Sequence, residues 1–362
     1  MQEPHSNIQR RICFVTDSLD GGGIGVVFLT LARAMRRLGC RVDMFVLCPP
    51  LRAMPKGVNV VVAGGKTRGA ALTLARFLRR SNPDLIITAR DYMSAMAVVS
   101  RALAGRRKTP LVWTFHTHHS LDFKHKPLGR RLIAWLAMKL SFAADHLVCV
   151  SRGVARDLEQ AHRATQGRTR TIYNPVERPR VLPTPAHPWC APSQVPVVVI
   201  CGRLVAQKGV DVAISAFARL RADHHVRLLI LGDGPLRADL QHQIDQTGYA
   251  EDIKCLGAVD APADYMKDAA CLVVSSHWEG FGMVIAEAMS VGCPVISTDC
   301  PSGPREVLGN GAYGTLVPVG DVAALAQVIA TVLVTPTDTS DAKQSLGRFD
   351  PEMIARAYLD LA

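Results

Sequence analysis

Short apolar runs alternate along the chain with longer segments whose apolar residues recur at helical spacing. Arg11–Thr16 (RICFVT) predicts a buried strand, and the segment VVFLTLARAMRRLG after a glycine-rich turn predicts an amphipathic helix. The further elements predicted in this half are strands over Arg41–Cys48, Asn59–Ala63, Leu85–Thr88, Leu111–Phe115 and Leu147–Ser151 and a helix over Ala70–Arg80. Apolar strands that alternate with helices indicate a parallel sheet with helices on both faces.

A proline-rich segment interrupts this alternation. Seven prolines lie from Pro175 to Pro196, a composition typical of an interdomain linker. The pattern then restarts, with strands predicted over Val197–Cys201, Val226–Leu231, Ile253–Leu256, Leu272–Ser275, Pro294–Thr298 and Gly314–Val317 and helices over Val210–Ala222 and Leu236–Gln246.

We therefore predict an α/β protein built from two doubly wound, Rossmann-like domains. The predicted parts are a first domain over 1–182, a linker over 183–196, a second domain over 197–345, and a helix over 346–362 that packs back toward the first domain. Such sheets bind ligands at the carboxyl ends of their strands, so we expect the active site in a cleft between the two facing domains.

Charge is distributed unevenly along the chain. Up to Arg180 there are 30 Lys and Arg against 11 Asp and Glu, a net +19, whereas the remainder has 12 against 20, a net −8. A basic half indicates that this half meets a polyanion. Basic residues around an apolar stretch from Lys124 to Phe142 favour an anionic membrane surface, and the lack of a nucleic-acid motif argues against nucleic acid.

Cysteine usage and the absence of long apolar runs bear on the compartment. The ten cysteines form no CxxC pair, which is typical of buried thiols in a reducing compartment. The first residues, MQEPHSNIQR, lack the apolar core of a signal peptide, and no segment reaches the ~20 apolar residues of a spanning helix. We expect a cytoplasmic protein, peripheral on the inner face of the cytoplasmic membrane.

The glycine-rich turn at Gly21–Gly25 joins the first strand to the first helix. Such a turn lets the backbone approach a phosphate, so Gly22 and Gly23 are candidate donor-binding residues; a purely structural tight turn is the alternative. It is not a dinucleotide fingerprint, because Phe28 stands where the third glycine belongs. Gly65-Lys66-Thr67 is likewise not a P-loop, because Val60 stands where its first glycine belongs.

The segment EGFGMVIAE, from Glu279 to Glu287, follows a strand and opens a helix. A helix N-terminus offers free N–H groups to a diphosphate, and a carboxylate accepts two hydrogen bonds from a diol. Glu287 therefore suits a ribose and Glu279 a transferred sugar. The structural alternative is a helix start with acids near its positive end.

This segment resembles the signature of glycosyltransferase family 4, which has the GT-B fold. Other segments are similar to that family in order along the chain: Val150-Ser151, Tyr173–Val176 (YNPV), Gly202-Arg203-Leu204 with Lys208-Gly209, Leu231–Pro235 (LGDGP), Ser302–Val307 (SGPREV) and Leu316–Asp321 (LVPVGD). The glycine-rich turn departs from the pattern, since many relatives have an acidic residue after Gly-Gly, and the proline-rich linker is longer than expected. Matches to several segments in the family's order are stronger evidence for the resemblance than any single match.

The resemblance implies roles for individual residues. Arg203 and Lys208 would hold the donor diphosphate and stabilise charge on the leaving group. Glu279 and a histidine of the first domain would face the sugar; His116 is the first choice and His118 the second. The implied donor-binding residues are Gly22, Gly23, Gly232, Gly234, Gly280, Phe281, Gly282, Met283, Val284 and Glu287.

The resemblance also implies a reaction that needs no metal or other cofactor. The chain has no Asp-x-Asp motif, which transferases of the other main fold use to hold a metal. The His116-x-His118-His119 cluster is a possible metal site as an alternative, although no second cluster completes it. The implied reaction is retaining transfer of a hexosyl group from a nucleotide sugar, preferably UDP-linked, to a glycan or lipid-linked acceptor. A nucleotide-sugar epimerase and a non-catalytic nucleotide-sugar sensor are the alternatives.

Overall fold

A computed structural model describes residues 9–20, 22–51, 53–64, 69–191, 195–335 and 337–362. The chain divides into two compact units. Unit 1 consists of Met1–Pro175 together with Phe349–Ala362, and unit 2 is Val176–Arg348. The unit boundary thus falls at Pro175, seven residues before the end of the first domain expected from the sequence.

Unit 1 is built on a parallel sheet of seven strands. The strands are β1 (Arg11–Thr16), β2 (Arg41–Val46), β3 (Val58–Val62), β4 (Leu85–Ala89), β5 (Leu111–Phe115), β6 (His146–Cys149) and β7 (Thr169–Thr171). The helices are α1 (Gly23–Arg37), α2 (Ala70–Ser81), α3 (Asp91–Leu103), α4 (His119–His125), α5 (Leu128–Met138) and α6 (Arg152–Ala161). The strand order is β3-β2-β1-β4-β5-β6-β7, so the direction of winding reverses between β1 and β4.

The apolar runs become the central strands of this sheet because they are covered on both faces. Every residue of β4 and β5 is buried, and Phe14, Phe28, Phe45 and Trp113 are among the largest fully buried side chains. The central strands are therefore the ones that hydrophobicity predicts. β7 is a three-residue polar edge strand, TRT, and its lack of an apolar run explains why the sequence did not indicate it.

Unit 2 repeats the plan with six parallel strands in the order β10-β9-β8-β11-β12-β13. The strands are β8 (Val197–Cys201), β9 (Arg227–Leu231), β10 (Ile253–Gly257), β11 (Cys271–Val274), β12 (Val295–Thr298) and β13 (Thr315–Val317). The helices are α7 (Val210–Arg221), α8 (Arg237–Gln246), α9 (Pro262–Met266), α10 (Met283–Ser290), α11 (Pro304–Val307), α12 (Val322–Val334) and α13 (Ser340–Ser345). Here the winding reverses between β8 and β11. The prediction of two doubly wound α/β sheets is confirmed.

The described part of the proline-rich segment lies within unit 2 rather than between the units. The Leu182 N–H donates to the Asp264 carboxylate at 2.7 Å. The Trp189 ring contacts two cations, with the Arg227 guanidinium 5.0 Å and the Lys254 ammonium 4.3 Å from its centroid. These contacts fix the segment to the surface of unit 2.

The final helix, α14 (Pro351–Leu359), belongs to unit 1 and packs against α1. Tyr358 is fully buried there, and Phe349 meets the ring of Tyr173 at 5.4 Å between centroids. Arg37 of α1 donates to Glu352 at 3.0 Å. Asp350 caps the helix by accepting from the N–H groups of Glu352 and Met353.

Candidate active site

The loops that follow β8 and β9 approach each other so closely that only glycine fits between them. A side chain at Gly232 would place its Cβ 1.8 Å from the carbonyl oxygen of Gly202, and one at Gly234 would lie 2.3 Å from that of Leu204. Leu204 in turn donates its N–H to Asp233 at 2.9 Å. The absence of side chains at Gly232 and Gly234 therefore allows these two loops to pack closely at the carboxyl edge of the sheet.

The two predicted cations follow β8 directly. Arg203 is exposed, and no described residue hydrogen-bonds to its guanidinium group. Lys208 ends a short helical turn, Ala206–Lys208, that is joined to the loop after β11. The joining bonds are Gln207 Nε2 to the Trp278 carbonyl at 2.9 Å and Ser275 Oγ to the Lys208 carbonyl at 3.0 Å. Lys208 is thus held at the switch point between β8 and β11.

Glu279 is brought to Lys208 in this structure. Its Oε1 accepts from Lys208 Nζ at 2.6 Å and from Ser276 Oγ at 2.8 Å. The Glu279 side chain is 7% exposed and that of Lys208 22%, so the ion pair is largely shielded from water. Sequence reasoning missed Ser276, a fully buried residue; its position three residues before Glu279, immediately after an apolar strand, was the available signal.

Helix α10 begins at Met283, after the loop Gly280–Gly282 that follows Glu279, and its N-terminus is uncapped. Gly282 precedes it with φ 88°, a backbone conformation that favours glycine, and no side chain caps its first N–H groups. Phe281 is buried, and Gly303 passes so close that a Cβ there would lie 2.6 Å from the Phe281 carbonyl oxygen. Gly280–Val284 therefore presents backbone donors next to the Lys208–Glu279 pair.

Glu287 lies one turn into α10 and is partly exposed. Cys201 lies at the end of β8, and the pKa of its thiol is raised to about 12. Burial is the larger cause, and the negative charge of Glu287 is the second. The carboxylate is therefore close to the same strand end as Arg203 and Lys208. The structure brings the predicted unit 2 residues together around the ends of β8 and β11.

His116 follows β5 in unit 1, and its tautomer can be deduced. The Thr114 hydroxyl donates its one hydrogen to the Thr88 carbonyl at 2.6 Å. It must therefore accept in its 2.8 Å contact with His116 Nε2, so Nε2 carries a proton. Burial first and the charge of Arg90 second lower the pKa of His116 to about 3. His116 is thus neutral at pH 7, with Nδ1 as its hydrogen-bond acceptor.

A polar cluster that sequence reasoning missed lies at the unit 1 switch point. Arg90 follows β4 and pairs with Asp17, which follows β1, at 3.3 Å. The Tyr92 hydroxyl donates to the other Asp17 oxygen at 2.9 Å. Arg90 has φ 72°, a rare backbone conformation for a residue with a side chain. The position of Asp17 and Arg90 immediately after two apolar strands was the signal that could have identified them.

The glycine-rich turn of unit 1 is described from Gly22 onward, and Gly21 lies outside the described residues. Gly22 and Gly23 are exposed at the start of α1, where no side chain caps the helix. Gly25 is the glycine that packing requires, because a Cβ there would lie 2.0 Å from the Leu19 carbonyl oxygen. The rejected P-loop segment Gly65-Lys66-Thr67 also lies outside the described residues.

The histidine cluster does not converge on one point. His116 bonds Thr114, whereas His118 Nδ1 lies 3.2 Å from the Asp157 carboxylate and the ring of His119 packs on that of His162 at 4.9 Å. Over the described ranges, no group of three or more His, Cys, Asp or Glu side chains is arranged to hold a metal ion.

Two family models match successive parts of the chain. The Glycosyltransferase Family 4 model matches residues 21–180, and the Glycosyl transferases group 1 model matches residues 189–345. This chain belongs to glycosyltransferase family 4. It is a glycosyltransferase, and the resemblance inferred from its motifs is confirmed.

Several curated relatives of this family 4 chain are named as glycosyltransferases. An uncharacterized glycosyltransferase of Methanocaldococcus jannaschii is 27% identical over 65% of this chain and 60% of that protein. The Campylobacter jejuni N-acetylgalactosamine-N,N'-diacetylbacillosaminyl-diphospho-undecaprenol 4-alpha-N-acetylgalactosaminyltransferase is 28% identical over 70% of this chain and 69% of its own. The Salmonella typhimurium lipopolysaccharide 1,6-galactosyltransferase is 25% identical over 86% of each chain.

Solved structures establish the fold of this family 4 chain. HepE of Anabaena in complex with UDP and glucose matches with a TM-score of 0.78 at 22% identity, over 97% of this chain and 99% of that one. The fold is therefore GT-B, with two Rossmann-like domains. Among the described helices, none is both long and apolar enough to cross a membrane.

Proposed function

We propose that this glycosyltransferase transfers a hexosyl group from a nucleoside-diphosphate sugar, preferably a UDP-sugar, to a hydroxyl of a glycan or lipid-linked acceptor at a membrane. The acceptor class is supported by the relatives whose names specify lipopolysaccharide or an undecaprenol-linked sugar. The donor is supported by structural neighbours that contain UDP and glucose or UDP-glucose. The basic N-terminal half supports contact with an anionic membrane.

The observation that carries this proposal is the ion pair between the half-buried Lys208 and the buried Glu279, beside the uncapped start of α10. A sugar diphosphate needs cations at its phosphates and an acceptor for its hydroxyl protons. Lys208 and Arg203 provide the charges, and the α10 N–H groups provide further donors. Glu279 accepts from a sugar hydroxyl in this assignment, and Glu287 accepts from the ribose.

Lys208 and Arg203 also have a role in the reaction itself. Charge develops on the departing diphosphate as its bond to the anomeric carbon breaks, and a fixed cation stabilises that charge most in the transition state. His116 faces the sugar as a neutral ring, with its Nδ1 accepting a hydrogen bond. The proposed reaction therefore needs no metal ion, and we expect activity to persist in a chelator.

We propose retention at the anomeric carbon by reaction on one face of the sugar. The bond from the anomeric carbon to the diphosphate oxygen breaks, and a bond to the acceptor oxygen forms on the same face. The acceptor hydroxyl proton passes to the departing phosphate oxygen, so no enzyme nucleophile is required. Trapping a covalent glycosyl-enzyme would contradict this step, whereas an α-linked product from an α-linked donor supports it.

A thermal-shift screen with UDP-, GDP- and ADP-sugars tests the donor. A ligand that binds only the folded protein raises its Tm by mass action, and we expect the largest rise with a UDP-sugar. The same sugars are then incubated with and without a lipid-linked acceptor. Turnover only with the acceptor supports a transferase, whereas conversion of the donor sugar without an acceptor indicates an epimerase.

Glu279→Gln tests the site with a change of one atom. We expect kcat to fall by about a hundredfold, the scale for loss of one positioned polar group in an active site, because the negative charge that pairs with Lys208 is lost and one of the two acceptor oxygens becomes an NH2 donor. Glu251→Gln, an exposed glutamate elsewhere in unit 2, is the matched control and should leave kcat unchanged. Equal activities of the two variants would remove Glu279 from the mechanism.

A further inference from the structure

The outer surface of α3 and α5 in unit 1 exposes an unusual number of large apolar side chains. Helix α5 buries only its two alanines and Met138 against the unit, and α3 packs beside it. The exposed apolar residues, here called the α3–α5 face, are Val99, Leu103, Leu128, Leu132, Ile133, Trp135, Leu136 and Phe142. Leu128 is 80% exposed and Phe142 66%, so the hydrophobic side of this helix has no partner within the described chain.

Basic residues surround this face, and acidic residues are few. From Asp91 to Asp145 the sequence contains nine Lys and Arg and three acids, Asp91, Asp122 and Asp145. Each acid is already paired: Asp91 and Asp122 with Lys126 at 3.5 and 2.7 Å, and Asp145 with Arg101. Lys124, Arg130 and Lys139 are exposed on or beside α5, and the Lys139 ammonium lies 4.9 Å from the centroid of the Trp135 ring.

We propose that the α3–α5 face docks on an anionic lipid bilayer, with α5 lying in the plane of the headgroups. Its leucines, Ile133 and Trp135 enter the boundary between headgroups and acyl chains, while Arg130 and Lys139 reach lipid phosphates. The inference rests on the proposed function only for the expectation that the acceptor is at a membrane, and it specifies which surface of the protein meets that membrane.

Charge distinguishes a lipid bilayer from the other occupants of such a surface. A second copy of this chain in a two-fold contact would place the same cationic rim against itself, and the few carboxylates nearby are already paired within the unit. A single-stranded nucleic acid would match the cations, but it binds through stacked aromatic rings rather than through aliphatic side chains. An anionic bilayer matches both the charge and the apolar area.

Vesicle binding by the full chain, without sugar nucleotide or acceptor, tests the inference. We expect binding to vesicles of phosphatidylglycerol mixed with phosphatidylcholine to be at least about tenfold tighter than to phosphatidylcholine alone, and to weaken with salt. Trp135 fluorescence should shift to the blue and be quenched by brominated lipid, and Trp135→Phe should remove this signal. Equal binding to both vesicle types, or no binding, overturns the proposal.

A double substitution tests which surface binds. Leu132→Gln with Leu136→Gln removes apolar area from an exposed helix face, so we expect a loss of about tenfold or more in vesicle affinity with Tm unchanged. Leu182→Gln with Val334→Gln changes two equally exposed apolar residues in unit 2 and should bind as the unchanged protein does. Unchanged affinity of the first variant overturns the assignment of the face.

A matched pair of charge-reversing substitutions tests the requirement for basic residues. Arg130→Glu should weaken binding to the anionic vesicles several-fold, whereas Arg219→Glu, an exposed arginine of unit 2, should not. The α3–α5 face is a dimer surface instead if the unchanged protein self-associates and binds no vesicles while the Leu132/Leu136 variant is monomeric. Because these assays contain no donor, vesicle binding can fail while sugar transfer succeeds, and the reverse.

Discussion

The Thr114 hydroxyl determines which nitrogen of His116 carries the proton, because its own hydrogen is committed to the Thr88 carbonyl. Thr114 is therefore the positioning residue in the proposed mechanism, in which the substrate would meet the lone pair on Nδ1 of His116. A general acid at this position would need a pKa near neutrality. The low pKa of His116 instead suits a fixed, neutral hydrogen-bonding group.

Thr114→Val tests this arrangement. The substitution leaves the buried Nε2–H without an acceptor, at about 1–3 kcal/mol, so we expect kcat to fall by about tenfold with little change in KM. Nitrogen NMR of His116 should also show that the Nε2–H tautomer is no longer dominant. Thr331→Val, on an exposed helix position where the hydroxyl bonds only a carbonyl, is the control. A kcat loss without a change in tautomer would contradict the positioning role.

The lowered pKa of His116 also makes the stability of the folded protein depend on pH. The unfolded state binds a proton at this residue as the pH falls below about 6.5, whereas the folded state does so only near pH 3, so acid favours unfolding across that window. His116→Asn should remove this dependence, so its free energy of unfolding should fall by about 1 kcal/mol less per pH unit of acidification. Urea unfolding from pH 7 to 4 measures it, with the exposed His225→Asn variant as the reference.

The sequence predicted some of these residues because their signal is local. Glu279, Glu287 and the glycines between them occupy one short segment, and Arg203 and Lys208 follow a single strand. Thr114 was missed because its importance arises from the carbonyl of a neighbouring strand, which no local pattern reveals. Arg90 was missed because its proximity to Asp17 depends on strand order, and the sequence does not state that β1 and β4 are neighbours.

Helices α1 and α5 show how the same residue type can have opposite roles within one kind of element. Gly25 and Gly129 are both helical glycines, and glycine is ordinarily about 1 kcal/mol less favourable than alanine there. A Cβ at Gly25 would lie 2.0 Å from the Leu19 carbonyl oxygen, whereas a Cβ at Gly129 has nothing within 4 Å. The two positions differ in the space that surrounding atoms leave for a side chain.

The paired substitutions should therefore change stability in opposite directions. Gly25→Ala forces the turn before α1 to move, and we expect it to lower the free energy of unfolding by about 2 kcal/mol or more. Gly129→Ala should raise it by up to about 1 kcal/mol, since only helix propensity changes. Denaturant midpoints of the two variants measure the difference. If both variants are stabilised, the close approach at Gly25 is not a constraint on the fold.

Hydrophobicity predicted the buried strands, in several cases to the residue and in the others to within about two residues. β1, β5 and β8 have the bounds that their apolar runs predict, and β7 escaped notice because its residues are polar. The proline-rich segment was interpreted from composition alone. Composition indicates that a segment is neither strand nor helix, but the contacts of Leu182 and Trp189 depend on a surface formed by unit 2.

At the scale of the whole molecule, residues distant in sequence complete unit 1. Tyr358 of α14 is fully buried, whereas Met353 of the same helix is 47% exposed. Tyr358→Ala should therefore lower the stability of unit 1 by about 3–5 kcal/mol, the scale for a buried aromatic side chain. Met353→Ala should have little effect, because it removes mostly exposed atoms.

Hydrogen exchange measured strand by strand tests this assignment to unit 1. In Tyr358→Ala, amide exchange in β1–β6 should accelerate, while exchange in β8–β12 should keep the rate of the unchanged protein. Acceleration confined to unit 2 would mean that α14 stabilises the other unit. Uniform acceleration would mean that the two units unfold together.

The membership of Phe349–Ala362 in unit 1 has a consequence for biosynthesis. A ribosome makes Met1–Pro175 first, but the helix that covers α1 emerges only after every residue of Val176–Arg348 has been translated. All residues of unit 2, which is encoded in one uninterrupted stretch, are therefore made before this helix, while the earlier-made unit waits with an uncovered apolar surface. In this protein the order of synthesis and the order of completion are reversed.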